Sequence, residues 1–311
     1  MSLISVIIPL YNKEFSISNT LSSVLSQTYT KYEIIIINDG STDSSIEKVK
    51  QFSDSKIHIF NQENKGAAAA RNFGIKKAEG ELIAFLDADD YWFPNHLEEI
   101  IKLYHDFPKC GIFCSRYSMK ISKNKILNID YGSNLNNNYR GIVKDIFNAS
   151  MHYRVALTSA LAIPKKIFTN DYMFNPEVSS GQDLELFTKI AINNSVAITN
   201  ITTVEYNFAL EHQLSKTPIT QKKLLDLNQF KEAEKSNFSL KKYLDLYRTE
   251  YALQFRIAGN IESSKKYLSE ITTPISLKTR ILLITPVFIL SVLLKIKHWL
   301  RANGIDFTVY H

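Results

Sequence analysis

Cysteine is nearly missing from this chain of 311 residues, which holds only Cys110 and Cys114. Neither has a partner at the spacing of a zinc site or a disulfide framework, so a metal-knuckle module and a stapled secreted scaffold are both excluded, and a reducing compartment is expected. Glycine and proline are scarce too, at 10 and 8, which leaves no collagen-like or low-complexity tract. Phosphate loops are absent. There is no G-x-x-x-x-G-K, and the first turn after an apolar run reads Leu10-Tyr11-Asn12-Lys13-Glu14 rather than G-x-G-x-x-G, which excludes a P-loop NTPase and a dinucleotide fold. A membrane-length apolar run is missing as well. The segment from Ile281 to Leu294 has 14 residues without a charge, about 21 Å as a helix and short of the ~20 residues that span hydrocarbon. The opening residues Met1 to Leu10 lack a basic n-region, and their apolar run is interrupted at Pro9, so they read as a buried strand rather than a signal peptide.

What is present suffices for one large domain or two smaller ones: 45% of residues are hydrophobic and 22% charged. The N-terminal part alternates strand and helix signals. An apolar run at 4–9 is followed by helical spacing of Ile17, Leu21, Val24 and Leu25, and then by the Ile-rich run 34–37. The alternation continues through Ile46, Val49 and Phe52, a short strand near Ile57 to Phe60, an Ala-rich helix from about Ala67, and the run 82–86. Near-continuous apolar strands imply a sheet covered on both faces, hence an α/β fold. Residues 124–140, rich in Asn and Gly, predict a long loop, and the pattern beyond Lys216 is helical.

The net charge of +6 is uneven, with 16 Lys/Arg against 8 Asp/Glu from Lys216 onward and 21 against 23 before it. In the basic part the apolar run 281–294 lies between Lys278 and Arg280 on one side and Lys295, Lys297, His298, Trp299 and Arg301 on the other. This predicts an amphipathic segment over 278–301 lying in an anionic membrane surface. A core helix packed on the domain is the bland alternative. A nucleic-acid binder is disfavoured because the charge accompanies an apolar helix and not an aromatic reading motif.

In an open α/β sheet, ligands bind beyond the carboxyl ends of the strands. Four polar clusters fall there: Tyr11 and Asn12, residues 38–43 (Asn-Asp-Gly-Ser-Thr-Asp), residues 64–72 ending in Arg71-Asn72, and Asp87-Ala88-Asp89-Asp90. Three carboxylates within four residues repel one another unless a cation or a sugar hydroxyl compensates them, and oxygen ligands suit Mg²⁺ or Mn²⁺. A solvated turn with Asp90 as a helix cap is the alternative. Arg71 could reach a phosphate or base, or simply pair with Asp39 or Asp87. Asp39 could accept from the N–H of a pyrimidine, or merely form its turn.

The ordered set Ile-Pro-Leu-Tyr-Asn (8–12), Asn-Asp-Gly-Ser-Thr-Asp (38–43), Asn-x-Gly-x-x-x-Ala-Arg-Asn (64–72) and Leu-Asp-Ala-Asp-Asp (86–90) resembles glycosyltransferase family 2. Its members are inverting and nucleotide-sugar dependent, and their catalytic domain is the GT-A fold. The resemblance implies a Rossmann-like GT-A domain with a mixed, mostly parallel sheet and a C-terminal helical module. Residues 1–105 would form the nucleotide-sugar-binding half, 106–215 the acceptor half, and 216–311 the helical module. It implies that Pro9, Tyr11 and Asp39 bind base and ribose, that Arg71 contacts the nucleotide, that Asp87 and its neighbour Ala88 meet the ribose or sugar, and that Asp89 holds Mn²⁺ or Mg²⁺ on the diphosphate. The later Glu-Asp pair of the family corresponds to Gln182-Asp183, with Asp183 as general base and Gln in place of Glu. His212 resembles a histidine that touches the diphosphate or metal. Neither Trp92 nor Trp299 sits in the Gln-x-x-Arg-Trp of processive synthases, which favours transfer of a single sugar. The implied substrates are a nucleotide-sugar donor, UDP-linked by expectation, and a saccharide or lipid-linked saccharide acceptor of surface polysaccharide synthesis. The implied location is cytoplasmic, peripheral on the inner face of the plasma membrane. A non-catalytic sugar-nucleotide-binding or scaffold subunit is the competing reading, encouraged by Gln182.

Overall fold

The computed structural model describes residues 2–122, 124–132, 135–209 and 217–302. Ten strands form one sheet: β1 (Ile4–Leu10), β2 (Tyr32–Asp39), β3 (Ile57–Gln62), β4 (Leu82–Phe85), β5 (Tyr91–Trp92), β6 (Ile112–Ser122), β7 (Lys125–Asn128), β8 (Gly141–Ile142), β9 (Leu161–Pro164) and β10 (Val196–Asn207). Its spine runs β3-β2-β1-β4-β9-β6-β10-β5, while β7 pairs with β6 and β8 with β10. Strands β3, β2, β1, β4, β6 and β10 share one direction, and β9 is wedged antiparallel between β4 and β6. The sheet is thus mixed and mostly parallel, and its parallel strands deliver their carboxyl ends to one edge.

The Ile and Val residues of β1, β2 and β4 are buried at nearly every position, as expected of strands covered on both faces. The N-terminal helices are α1 (Ile17–Leu25), α2 (Ser45–Lys50), α3 (Gly66–Lys77) and α4 (His96–Asp106). Helix α3 lies so close to β1 that a Cβ at Gly74 would stand 2.5 Å from Ile7 Cγ2.

The segment 124–140 departs from the loop expected there. Residues 125–128 form β7, a hairpin partner of β6, and Ile129, Tyr131 and Leu135 are buried. Arg116 holds this stretch from β6, Nη2 donating to the carbonyls of Leu135 and Asn136. Apolar side chains dispersed among Asn and Gly concealed this packing from periodicity.

The remaining helices are α5 (Ile146–Ala149), α6 (Gln182–Asn193), α7 (Lys231–Ser236), α8 (Phe238–Ile257), α9 (Ile261–Ser269), α10 (Leu277–Ile284) and α11 (Val287–Ala302). A second core joins Phe147, Val178 and Leu184 to Leu227, Phe230, Leu240, Tyr243 and Leu244, so the helical region beyond residue 216 packs directly onto α5 and α6. Inside it the buried Arg248 bridges Glu234 at 2.6 Å and Asp245 at 2.8 Å, and Asp245 also accepts from the backbone of Thr272 and Thr273.

The apolar stretch 281–294 is not one helix. Pro286 separates α10 from α11, since proline biases its predecessor away from helical angles, and Thr285 is extended. Leu277, Ile284, Phe288 and Trp299 are exposed while Leu290 is buried, so the pair of helices both packs on the domain and presents an apolar face. No helix among the described residues is long and apolar enough to cross a membrane.

Candidate active site

The four polar clusters follow the carboxyl ends of β1, β2, β3 and β4. Beyond β1, Pro9 is half-buried and Tyr11 is exposed. Asn12 adopts φ 50°, a left-handed conformation that asparagine tolerates. Its Oδ1 accepts from Thr42 N at 2.8 Å, tying the first loop to the second.

Asp39 ends β2 and is buried. Its Oδ1 accepts from Gln62 Nε2 at 2.6 Å and Lys65 N at 2.8 Å, and its Oδ2 from Gly66 N at 2.8 Å. It therefore caps α3 from outside the helix, where the helix dipole favours an anion. A carboxylate has about four acceptor positions, so three bonds leave one for an incoming N–H.

Arg71, in the second turn of α3, reaches back to Asp87: Nη2 to Oδ1 is 2.6 Å. Its guanidinium lies 5.3 Å from the centre of the Phe174 ring. Ala88 is buried, its carbonyl accepting from Ser16 Oγ at 2.8 Å. The Asp89 carboxylate meets the Lys13 ammonium at 2.7 Å. Burial pushes Asp89 above the ordinary carboxylate range, with Lys13 opposing that shift and Asp87 adding to it. Asp90 does not cap α4, whose N-cap is Asn95. It is buried, accepts from Ser159 Oγ at 2.5 Å and Asn207 N at 2.9 Å, and is raised well above its usual value by burial and then by Asp89 and Asp87. It fastens β4 to β10.

Asp183 stands in the first turn of α6, following Gly181 at φ 96°. Burial pushes its carboxyl up, but Arg154, the first backbone N–H groups of α6 and Arg71 together hold it below the usual carboxylate range. Arg154 Nη1 donates to Asp183 Oδ2 at 2.5 Å. The charge of Arg71 reaches Asp183, and Tyr206 feels both the Asp87–Asp90 cluster and Arg154, so the candidate base lies within electrostatic reach of the donor-side residues. Gln182 is buried, and its Oε1 has no hydrogen-bond partner among the described residues. His212 lies outside the described residues. Lys13, Arg154, Ser159 and Tyr206 were not singled out from sequence, where each is a common residue without a motif around it.

The sequence model of glycosyl transferase family 2 matches residues 5–159. By that segment the chain belongs to glycosyl transferase family 2. The family 2 chain is 49% identical over 102 residues to UDP-Glc:alpha-D-GlcNAc-diphosphoundecaprenol beta-1,3-glucosyltransferase WfgD of Escherichia coli, an alignment covering 32% of this chain and 40% of WfgD. It thus spans less than half the length of that relative. Among solved structures it is similar to Staphylococcus aureus TarS 1–349 in complex with UDP-GlcNAc, with TM-score 0.60 at 15% identity, covering 89% of this chain and 94% of that one. It is also similar to GalNAc-T7 with UDP, GalNAc and Mn²⁺, with TM-score 0.57 at 17% identity, covering 86% and 55%. These likenesses show the GT-A architecture.

A family 2 site of this kind implies a divalent cation. No group of three or more His, Cys, Asp or Glu among the described residues could hold one. Asp89, with Asp87 nearby, nevertheless offers the hard oxygen donors that Mg²⁺ and Mn²⁺ prefer, and such ions are commonly held by one or two carboxylates plus substrate phosphates. The donor set fits on that basis, with Lys13 standing in as counter-charge.

Proposed function

We propose that this chain is an inverting glycosyltransferase that moves a single hexosyl or N-acetylhexosaminyl group from a UDP-sugar to a saccharide borne on a lipid diphosphate, in the assembly of a bacterial surface polysaccharide. What supports this is that Asp39, Asp87 and Asp89 gather at the ends of β2 and β4, that Arg71 of α3 pairs with Asp87 at 2.6 Å, and that the same Arg71 helps to hold the carboxyl of Asp183 down. The names of the relatives support the substrate classes: WfgD uses UDP-Glc and a diphosphoundecaprenol-linked GlcNAc, and TarS is complexed with UDP-GlcNAc.

In this reading Pro9, Tyr11 and the spare acceptor position of Asp39 take the base and ribose. Arg71 offsets charge on the nucleotide, and Asp87 and Ala88 meet the ribose or sugar. Mn²⁺ or Mg²⁺ held by Asp89 would neutralise charge growing on the departing diphosphate. Asp183 receives the proton of the acceptor hydroxyl as that oxygen bonds the anomeric carbon. The bond from this carbon to the diphosphate breaks, and its electron pair leaves with UDP. Attack opposite the leaving group inverts the anomeric configuration. The ion pair with Arg154 keeps Asp183 ionised, the state a base needs.

The apolar face of α10 and α11, flanked by Lys278, Arg280, Lys295 and Lys297, supports peripheral attachment to an anionic membrane, on the cytoplasmic side where nucleotide sugars are made. The reading is tested by binding UDP-, dTDP- and GDP-sugars to the purified chain with Mn²⁺, Mg²⁺ or chelator, beside Asp89→Ala. Metal-dependent binding of one donor, lost in the variant and followed by transfer to a GlcNAc-diphospholipid, is the expected result. Failure to bind any donor refutes it in favour of a scaffold subunit.

A further inference from the structure

The base stands against a wall supplied by the helical region. Behind Asp183 lies a small cavity of about 30 Å³ lined by Ile146, Phe147, Leu184 and Tyr243, an apolar setting in which an unpaired carboxylate would favour its neutral form. Arg154 counters this from the segment between α5 and β9. Its Nη1 bonds Asp183, while its Nε donates at 2.9 Å to the hydroxyl of Tyr247, in the middle of α8. The same guanidinium lies 5.4 Å from the centre of the Tyr247 ring. Tyr247 is fixed in turn by Tyr243, one helical turn earlier: the hydroxyls are 3.2 Å apart and the rings meet edge to face at 5.2 Å. Both tyrosines are buried. A planar guanidinium held at two of its nitrogens has little freedom left, so the orientation of the Asp183 carboxylate is inherited from α8.

We infer that Arg154 and Tyr247 are positioning residues for the base, and that helix α8 is therefore part of the active site of the transferase. This rests on the reading of Asp183 as the base. Neither residue exchanges a proton with substrate. Arg154 fixes Oδ2 of Asp183, and Tyr247 fixes Arg154. Among the described residues, the charged and titratable groups facing the pair include Arg71 from α3, Tyr243, Tyr247, Glu250 and Tyr251 from α8, and Tyr117 and Tyr206 from β6 and β10. Among the charges that lower Asp183, Arg154 acts more strongly than Arg71.

The test uses the full chain with UDP-glucose and a GlcNAc-diphospholipid, following kcat, the KM for donor and the pH profile of kcat. Tyr247→Phe removes one oxygen and keeps the ring, so folding is spared. Its kcat should fall about tenfold, the loss expected of a hydrogen bond to a charged group, with donor KM unchanged. Arg154→Ala should move the acidic limb of kcat upward by roughly one to three pH units, the span by which a neighbouring cation lowers a carboxyl, and Arg154→Lys should return most of that shift. Wild-type kcat and pH profile in both Tyr247→Phe and Arg154→Ala would overturn the inference. Should Arg154→Ala fold poorly, Tyr247→Phe decides alone. Asp183→Asn separates the two claims. If it remains active, the base assignment fails. If it is inactive while the Tyr247 and Arg154 variants behave as wild type, only the positioning role fails.

Discussion

The ammonium of Lys13 stands 2.7 Å from Oδ2 of Asp89, the residue proposed to hold the divalent cation. Two positive charges, Lys13 from the β1–α1 loop and Arg71 from α3, thus balance the acidic edge of β4. If Asp89 holds the proposed cation, Lys13 competes for the same carboxylate, and Lys13→Met should lower the Mn²⁺ concentration that gives half-maximal donor binding. Asp89→Asn should abolish the metal dependence. Calorimetric titration of UDP-glucose at several Mn²⁺ concentrations checks both.

Loss of the base should leave the donor site intact. Asp183→Asn is expected to reduce kcat by roughly 10²- to 10⁴-fold, the range for a positioned proton acceptor, with UDP affinity within about twofold of wild type. Steady-state kinetics alongside UDP binding distinguishes this from a collapse of the crevice.

Asp39 serves the fold and the proposed base site at once. Asp39→Asn places an amide group where three donors converge, and should cost about 2 kcal/mol of stability, as expected for hydrogen bonds to a charged group. UDP binding should weaken as well. Urea denaturation and UDP titration report the two effects separately.

Arg248 is 1% exposed and shared between two carboxylates. Arg248→Met strands both, and should destabilise the chain by about 3–5 kcal/mol, as breaking a buried ion pair does. Replacing Arg248, Glu234 and Asp245 together with apolar residues should recover much of that loss in thermal melts.

The face of α10 and α11 should govern attachment and not chemistry. Changing Ile284, Phe288 and Trp299 to Ser removes three exposed apolar side chains. Partitioning to phosphatidylglycerol vesicles should fall at least about 100-fold, given roughly 1.5–3 kcal/mol for each buried large side chain. Transfer to a short-chain, water-soluble acceptor should be unchanged.

Legibility in the sequence followed locality. Asp39, Asp87 and Asp89 each end an apolar run, and Arg71 sits in an Ala-rich helix start, so strand ends located them before any coordinates. The role of Asp90 stays open in the sequence because its partners, Ser159 and Asn207, lie 69 and 117 residues away. The Arg154–Tyr247 contact spans 93 residues, and no periodicity foretells such a pairing. The split of α10 from α11 could have been read from Pro286 alone, whose effect on its predecessor is local. Strand β9 hides for a topological reason: an apolar run does not declare its direction, and the antiparallel wedge between β4 and β6 exists only in the assembled sheet.

Gly181 turns the chain into α6 directly beneath Leu225, where a Cβ would come within 3.0 Å of the leucine's own Cβ, and Tyr247 reaches Arg154 from still further along the sequence. The C-terminal third is therefore no exchangeable attachment. A hybrid enzyme spliced at residue 216, with the tail of a relative grafted on, would inherit the donor pocket whole yet seat its proton acceptor on foreign masonry. Swapping acceptor preference between such enzymes calls for a junction before α5, so that Arg154, Asp183 and Tyr247 travel together.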